Sequence, residues 1–155
     1  MIIRNFSFVA KAIVVSNGKF LLLRKSSKEI EATKINKYVK WDLPGGAVQF
    51  FEKNTTGLLR EIKEETGLNA NIIKPIGVYD AIKSHIHMTV ITYLCEVASK
   101  DEVSLSYEHD EYHWLTADEI KSFDMPSWLK KYFEIAIEEY TNMKLLKDIK
   151  NNKEN

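Results

Sequence analysis

The sequence predicts an α/β fold of the α+β kind, in which one domain combines strands and helices. Residues 6–16 and 19–24 are rich in Val, Ile, Leu and Phe, and Asn17-Gly18 between them is a preferred two-residue hairpin turn. Residues 52–66 differ, because their apolar side chains recur at helical spacing. A chain of 155 residues can bury the core of one domain and is too short for two domains of normal size.

The segment after the hairpin is polar. Residues 25–40 carry five lysines against two glutamates, which predicts a loop with at most one short helical turn. Because this loop precedes a glycine-rich turn, it is either a solvated surface or a cationic rim beside a site for an anionic group. In the second case the candidate basic contacts are Arg24, Lys34 and Lys37.

A glycine-rich turn at residues 44–46 separates the polar segment from the predicted helix. A short strand at residues 41–43 leads into it, and the turn lets the backbone approach a neighbour closely. Residues 47–50 are expected to pair beside that strand before the helix at residues 52–66 begins. Gly67 follows the helix at the position where glycine commonly ends one.

Two further strands are predicted after the helix. Residues 69–82 have strand character with a break at residues 74–75, and residues 85–97 form the longest strand candidate. His85 and His87 would share one face of that strand by alternation. Two such ligands without a third make a weak zinc site, so packing or a ligand contact is favoured.

The last third of the chain ends in helices. Residues 108–115 are predicted as a loop followed by a strand, and Thr116 with Glu119 three residues later has the capping-box pattern that begins a short helix. Ser127 is expected to cap a final helix with apolar side chains at helical spacing. The expected boundaries are residues 1–150 for the single domain and 151–155 for a frayed polar tail.

The overall charge is balanced, with 22 Lys and Arg against 22 Asp and Glu. No strong field therefore steers the chain to a nucleic-acid polymer or to an anionic membrane. Cys95 is the single cysteine, so no disulfide forms within the chain and a reducing compartment is expected. The apolar N-terminus is interrupted by Arg4 and Lys11 and lacks the layout of a signal peptide. We therefore expect a cytoplasmic protein without a nucleic-acid or membrane partner.

Residues 46–68 carry the strongest chemical signal, because they fill the pattern G-x5-E-x7-R-E-U-x-E-E-x-G-U, where U is aliphatic. Average residue frequencies give such a match by chance about once in 10^9 starting positions. Glu61, Glu64 and Glu65 fall within roughly a third of the helix circumference. Like charges one turn apart destabilise a helix, so an opposite charge is expected beside them. Carboxylate oxygens suit Mg²⁺ or Mn²⁺, and Mg²⁺ commonly brings substrate phosphates with it.

This stretch resembles the Nudix box of the Nudix hydrolases, and residues 41–45 before it are also similar to that family. The resemblance implies the Nudix fold, a mixed β-sheet sandwiched between helices. It also implies metal-dependent hydrolysis of a nucleoside diphosphate linked to another moiety, with Mg²⁺, or alternatively Mn²⁺, as the cofactor. Glu52 and Arg60 would form an ion pair that fixes the loop against the helix. The implied metal ligands are the Gly46 carbonyl, Glu61, Glu64 and Glu65.

A further acidic residue outside the box is common in the family, and two candidates occur in the loop that leads to Trp114. Glu108 is favoured over Glu111 as the general base, because it lies in the looser segment from which a side chain can reach the metals. Glu61 and Glu64 are the alternative bases within the box.

The resemblance leaves the substrate open. A compact chain suits a small nucleotide, and the first choice is a nucleoside triphosphate cleaved to monophosphate and pyrophosphate. The alternatives are ADP-ribose, a dinucleoside polyphosphate or another sugar nucleotide. A non-catalytic nucleotide-sensing module is the alternative from a different class, and the complete set of box carboxylates favours the enzyme. A homodimer is also possible.

Overall fold

The computed structural model describes residues 5–33, 40–98 and 102–154. Lys34 and Lys37, two of the predicted basic contacts, lie outside the described residues. The strands are β1 (Asn5–Ser16), β2 (Lys19–Lys25), β3 (Trp41–Asp42), β4 (Gly45–Ala47), β5 (Asn71–Lys83), β6 (Ile86–Glu96) and β7 (His109–Leu115). The helices are α1 (Ser27–Thr33), α2 (Asn54–Thr66), α3 (Ala117–Ser122) and α4 (Ser127–Lys153).

One mixed sheet runs through the molecule in the order β3-β2-β1-β6-β5. Its two central strands, β1 and β6, are parallel, from Asn5 opposite Ile86 to Val15 opposite Glu96. β2 and β5 pair antiparallel with their neighbours, β4 pairs antiparallel with β1, and β7 pairs antiparallel with β2. The mixed β-sheet implied by the resemblance is therefore confirmed.

Helices cover both faces of this sheet. In β1, Ala12 and Val14 belong to the apolar cluster that contains α2, whereas Ile13 and Val15 belong to the cluster that contains α4. Because successive side chains of a strand point to opposite faces, β1 is buried on both sides. This burial explains its continuous apolar run, and it confirms a sheet sandwiched between helices.

The glycine turn pairs with a different strand from the one expected. β4 begins at Gly45 and pairs with β1, with Ala10 opposite Gly46, whereas residues 47–50 were expected to pair beside β3. Gly45 has φ +132°, and a Cβ there would collide with the carbonyl oxygen of Ala10. Only glycine allows this approach, so the turn is held against the centre of the sheet.

The two long strands after α2 differ in detail from the prediction. β5 continues through the predicted break, because register shifts on either side of Pro75 absorb the irregularity. The prediction that residues 85–97 form the longest strand was wrong, since β6 has 11 residues and β5 has 13. His85 lies in the turn before β6, where its ring nitrogen lies 3.0 Å from Ser84 Oγ, and it does not share a face with His87.

Helix boundaries also differ. α1 has 7 residues, so part of the predicted loop at residues 25–40 is helical. α2 begins later than predicted and leaves Glu52 in the preceding loop. The N-cap of α4 is Pro126 rather than Ser127, and the helix continues through Lys153, so most of the predicted frayed tail is helical. Among the described residues, no helix combines the length and the apolar character needed to cross a membrane.

The short helix α3 has the cap that the sequence predicts. The Thr116 side chain accepts a hydrogen bond from the Glu119 N–H at 3.2 Å, and Glu119 Oε2 accepts one from the Thr116 N–H at 2.7 Å. This reciprocal pair is the capping box, and it is confirmed.

Candidate active site

Helix α2 holds the carboxylates of the box in place. Leu58 and Ile62 are fully buried against the sheet, and this packing fixes the rotation of the helix about its axis. Gly67 ends the helix with φ +72°, and its N–H donates to the Lys63 carbonyl at 2.9 Å. Glu61 therefore lies at the glycine turn, where a Cβ on Gly46 would lie 3.1 Å from its carboxyl carbon.

Glu65 is the buried carboxylate of the box, with 4% of its surface exposed. Its Oε2 accepts a hydrogen bond of 3.0 Å from the Gly45 N–H, which ties the helix to the glycine turn. Burial raises the pKa of Glu65 to about 8, although the Lys11 ammonium opposes the shift. A carboxylate in this position is stabilised by any cation that enters the cavity beside it.

Arg60 connects the loop before the helix to the carboxylates on it. Its Nε lies 2.9 Å from Glu52 Oε2 and its Nη2 lies 3.0 Å from Glu52 Oε1, so the two side chains form a bidentate ion pair. Hydrogen bonds from Arg60 and from the Gln49 N–H lower the pKa of Glu52 to about 2. Gly57 makes room for this pair, because a Cβ at that position would lie 2.6 Å from Glu52 Oε1.

Arg60 also reaches two box carboxylates. Its Nη1 lies 3.1 Å from Glu61 Oε1 and 3.2 Å from Glu64 Oε2. The Glu64 side chain is 57% exposed on the far side of this contact. The structure thus links Glu64 to the site through Arg60, while Glu61 and Glu65 reach the cavity directly.

A cavity of about 280 Å³ opens beside the glycine turn. It brings together Gly46, Glu61, Glu65 and Glu108 from the predicted site. Its described lining contains five carboxylates and two lysines, so carboxylates outnumber ammonium groups. Such a cavity attracts cations, and these must offset the negative charge before phosphates can enter. The full lining is Lys11, Lys25, Glu29, Asp42, Gly45, Gly46, Ala47, Glu61, Glu65, Glu108 and His109.

The wall opposite the box contains residues that the sequence analysis did not identify. Lys11 Nζ donates to Asp42 Oδ1 at 3.2 Å and to the carbonyl oxygens of Leu43 and Gly45 at 3.1 and 3.3 Å. His109 Nε2 lies 3.0 Å from Asp42 Oδ2. A lysine inside the apolar run of β1 was the signal that could have indicated this network, because a buried ammonium needs a partner.

Burial and pairing act in opposite directions on this wall. Burial disfavours the charge on Asp42, yet Lys11 and the hydrogen bond from His109 hold the pKa of that carboxyl well below its usual range. Burial likewise disfavours the charge on Lys11, and the carboxylates of Asp42 and Glu65 raise its pKa above the usual value. The network is therefore charged and internally neutralised, and it holds the carbonyl of Gly45 from the side opposite Glu65.

The two candidate bases have different surroundings. Glu108 lines the cavity, and its carbonyl accepts a hydrogen bond of 2.8 Å from the Ser26 N–H. Glu111 instead lies 2.6 Å from Arg24 Nη1 and 2.6 Å from His113 Nε2 on the outer surface of β7. Arg24 also bonds Asp110 at 2.8 Å and does not line the cavity, whereas its neighbour Lys25 does.

A second cavity of about 280 Å³ shares the wall formed by Lys11, Lys25 and Asp42. Aromatic side chains dominate the remainder of its lining, and two of them lie in the first two turns of α4. Trp128 is 48% exposed. The aromatic lining residues are Trp41, Tyr79, Trp128 and Tyr132.

The donor set of the first cavity suits a hard divalent cation. Within the described ranges, no three His, Cys, Asp or Glu side chains converge closely enough to make a ready-made metal site. Glu61, Glu65 and Glu108 nevertheless line one cavity with the backbone of Gly46, and all of these are oxygen donors. Burial of the Glu65 carboxyl favours a cation there, so the residues fit Mg²⁺ or Mn²⁺.

A family model described as NUDIX domain matches residues 7–134. A MutT-like protein of Streptomyces ambofaciens is 30% identical over 112 residues, which cover 72% of this chain and 64% of the relative, less than two thirds of its length. The nucleoside triphosphatase NudI of Klebsiella pneumoniae is 32% identical over 97 residues, which cover 56% of this chain and 68% of the relative. Among solved structures, the MutT protein from Methanosarcina mazei Go1 is 28% identical with a TM-score of 0.67, covering 88% of this chain and 96% of that chain.

Proposed function

Because the chain belongs to the NUDIX domain family, we propose that it is a metal-dependent pyrophosphohydrolase that cleaves a nucleoside triphosphate to monophosphate and pyrophosphate. The observation that carries the proposal is the meeting of Glu61, Glu65 and Glu108 with the Gly46 backbone in one cavity. The similarity to a relative named nucleoside triphosphatase supports the choice of substrate.

The two adjoining cavities can accept the two parts of a nucleotide. The phosphates enter the charged cavity, where Lys25 supplies positive charge. The nucleobase enters the aromatic cavity, where Trp128 and Tyr132 offer ring faces for stacking. Since both cavities share Lys11, Lys25 and Asp42, one nucleotide can occupy both at once.

The metal would be held by the Gly46 carbonyl with Glu61, Glu64 and Glu65. A bound Mg²⁺ or Mn²⁺ neutralises charge that develops on the phosphoryl oxygens and lowers the pKa of a coordinated water. Glu64 would have to leave its present contact with Arg60 to serve as a ligand, and the Glu52–Arg60 pair would keep the loop against the helix.

Glu108 acts as the general base. It takes a proton from the attacking water, whose oxygen forms a new bond to phosphorus. The P–O bond of the phosphoric anhydride breaks, and pyrophosphate leaves with the electron pair. Glu108 is suited to this role because it lines the cavity from the loop before β7 and not from the helix that carries the other carboxylates.

The proposed cellular location follows from the proposed substrate. A free nucleotide, together with the single buried thiol of Cys95, supports a cytoplasmic place of action. The predicted absence of nucleic-acid and membrane partners and the possible homodimer stay predictions.

The test is hydrolysis of a nucleotide panel with added Mg²⁺ or Mn²⁺, with products identified by chromatography. We expect a nucleoside triphosphate to yield monophosphate and pyrophosphate, and exhaustive chelation to abolish turnover until metal is restored. Full activity after chelation would contradict the metal requirement. Release of single phosphates in place of pyrophosphate would contradict the proposed bond cleavage.

A further inference from the structure

Two adjacent phenylalanines stand exposed in the loop before α2. Phe50 is 89% exposed and Phe51 is 98% exposed. Their ring centroids lie 4.5 Å apart with 69° between the ring planes. Neighbouring aromatic side chains this exposed leave a large apolar surface in water, and such surfaces commonly mark binding sites.

The backbone at Phe51 is strained. Its φ is +64°, in the left-handed region that a bulky side chain rarely adopts. Hydrogen bonds between Gln49 and Glu52 close the loop around it, from the Gln49 N–H to Glu52 Oε1 at 3.0 Å and from the Glu52 N–H to the Gln49 carbonyl at 3.2 Å. Strain of this kind collects at ligand sites, and here a nearly fully exposed ring recovers little of it by packing within the chain.

The two rings line a third cavity of about 490 Å³, within the size range of small-ligand sites. Ala47 lines both this cavity and the charged cavity, so the two adjoin. Glu52 lies in the wall of the third cavity and is joined through Arg60 to Glu61 in the charged one. The charged cavity therefore adjoins two cavities with aromatic lining residues.

We propose that Phe50 and Phe51 bind the second ring of a substrate that carries a nucleoside at each end of its phosphate chain. The inference rests on the proposed function and extends its substrate class to dinucleoside polyphosphates. A nucleoside triphosphate fills two of the three adjoining cavities, and a two-ring substrate fills all three. Base stacking on the exposed phenylalanine faces then offsets the strain at Phe51.

The test compares two compounds matched in phosphate number, diadenosine tetraphosphate and adenosine 5′-tetraphosphate. We expect the wild-type chain to have about tenfold lower KM and Kd for the two-ring compound, the range for stacking of one base. Phe51→Gly should reduce this preference to near one, with kcat and KM for the one-ring compound unchanged. Glycine adopts the left-handed backbone readily, so the unfolding temperature should stay the same or rise.

Two further variants sharpen the comparison. Phe50→Ala should reduce the preference as well, and Leu146→Ala, which removes an exposed apolar side chain from α4, should leave it unchanged. Equal preference in the wild type, Phe51→Gly and Phe50→Ala would overturn the ring site. A concentration-dependent dimer of the wild type that Phe51→Gly dissociates would overturn it in favour of an interface between two copies.

Binding by calorimetry separates this inference from the proposed function. If neither compound is hydrolysed but the wild type binds the two-ring compound more tightly and both variants lose that preference, the ring site stands and the hydrolysis is wrong. If the one-ring compound is hydrolysed and no preference exists, the hydrolysis stands and the ring site is wrong.

Discussion

The two walls of the charged cavity are built differently. The box wall, with Gly46, Glu61 and Glu65, comes from one turn and one helix, and burial there raises the pKa of Glu65, so that a cation would stabilise its charged form. The opposite wall, with Asp42 and His109 around Lys11, comes from three separate strands and is neutralised internally. The box wall is therefore suited to binding a cation, and the opposite wall is a structural network of ion pairs.

The walls meet at the backbone of Gly45. Glu65 accepts its N–H from one side, and Lys11 donates to its carbonyl from the other. The same cavity raises the pKa of Glu65 and lowers that of Asp42, because burial dominates the first and the Lys11 ammonium offsets burial at the second. A buried carboxylate is thus reactive or structural according to its partner.

The largest expected effect concerns the box wall. Glu65→Gln should lower kcat by at least about 10^3, because a charge at the metal cluster supports the transition state by several kcal/mol. The amide oxygen can still accept the Gly45 N–H, so the unfolding temperature should not fall. Steady-state kinetics and thermal unfolding check this, with Glu134→Gln on the exposed face of α4 as the control. Wild-type kcat in Glu65→Gln would remove the box wall from the mechanism.

The general base in the loop before β7 should have a comparable but separable effect. Glu108→Gln should lower kcat by about 10^2 to 10^4, the range for a lost general base, and leave calorimetric Mg²⁺ affinity nearly intact. Glu111→Gln is the matched control, since Glu111 pairs with Arg24 and His113 outside the cavity. The reverse result, a slow Glu111 variant beside a normal Glu108 variant, would move the base to Glu111.

Measurements of stability should show next whether the opposite wall is structural. Lys11→Met leaves Asp42 buried without its ammonium partner, and we expect unfolding free energy to fall by about 2 to 4 kcal/mol. Lys25→Met, in the same cavity, should change stability by less than about 0.5 kcal/mol. Denaturant titration measures both. Adding Asp42→Asn to Lys11→Met should recover part of the loss, and a Lys11→Met variant as stable as the wild type would show that the opposite wall is not structural.

The smallest effect is expected at Arg60. Arg60→Ala should lower kcat/KM about tenfold through a less ordered loop, at a stability cost below about 1 kcal/mol. Calorimetric metal affinity should be retained, because Arg60 is not a ligand. Arg60→Lys should restore little, since an ammonium cannot form the two-bond contact to Glu52. Unchanged kinetics in Arg60→Ala would contradict an orienting ion pair.

Local signals explain what could be predicted. The hairpin at Asn17-Gly18, the helix ending at Gly67 and the capping box of Thr116 and Glu119 depend on residues close together in sequence. The opposite wall depends on pairing between distant strands, since 31 residues separate Lys11 from Asp42 and 67 separate Asp42 from His109. No periodicity within one segment contains that information.

The basic side chain that lines the site lies one residue away from the predicted one. Arg24 was predicted at the site, but it faces Asp110 and Glu111, and its neighbour Lys25 lines the cavity. A register shift between Arg24 and Lys25 in the pairing of β2 with β7 accompanies this change. Because strand side chains alternate, one residue decides which side chain meets the site.

Gly57 has a consequence for engineering this chain. Glycine within a helix costs about 1 kcal/mol relative to alanine, so a screen for thermostability would favour Gly57→Ala. The added methyl would lie 2.6 Å from Glu52 Oε1 and push that carboxylate away from Arg60. A more heat-resistant variant obtained in this way would hold the loop around Glu52 less firmly. At Gly57, a gain in stability would therefore come with a loss of activity.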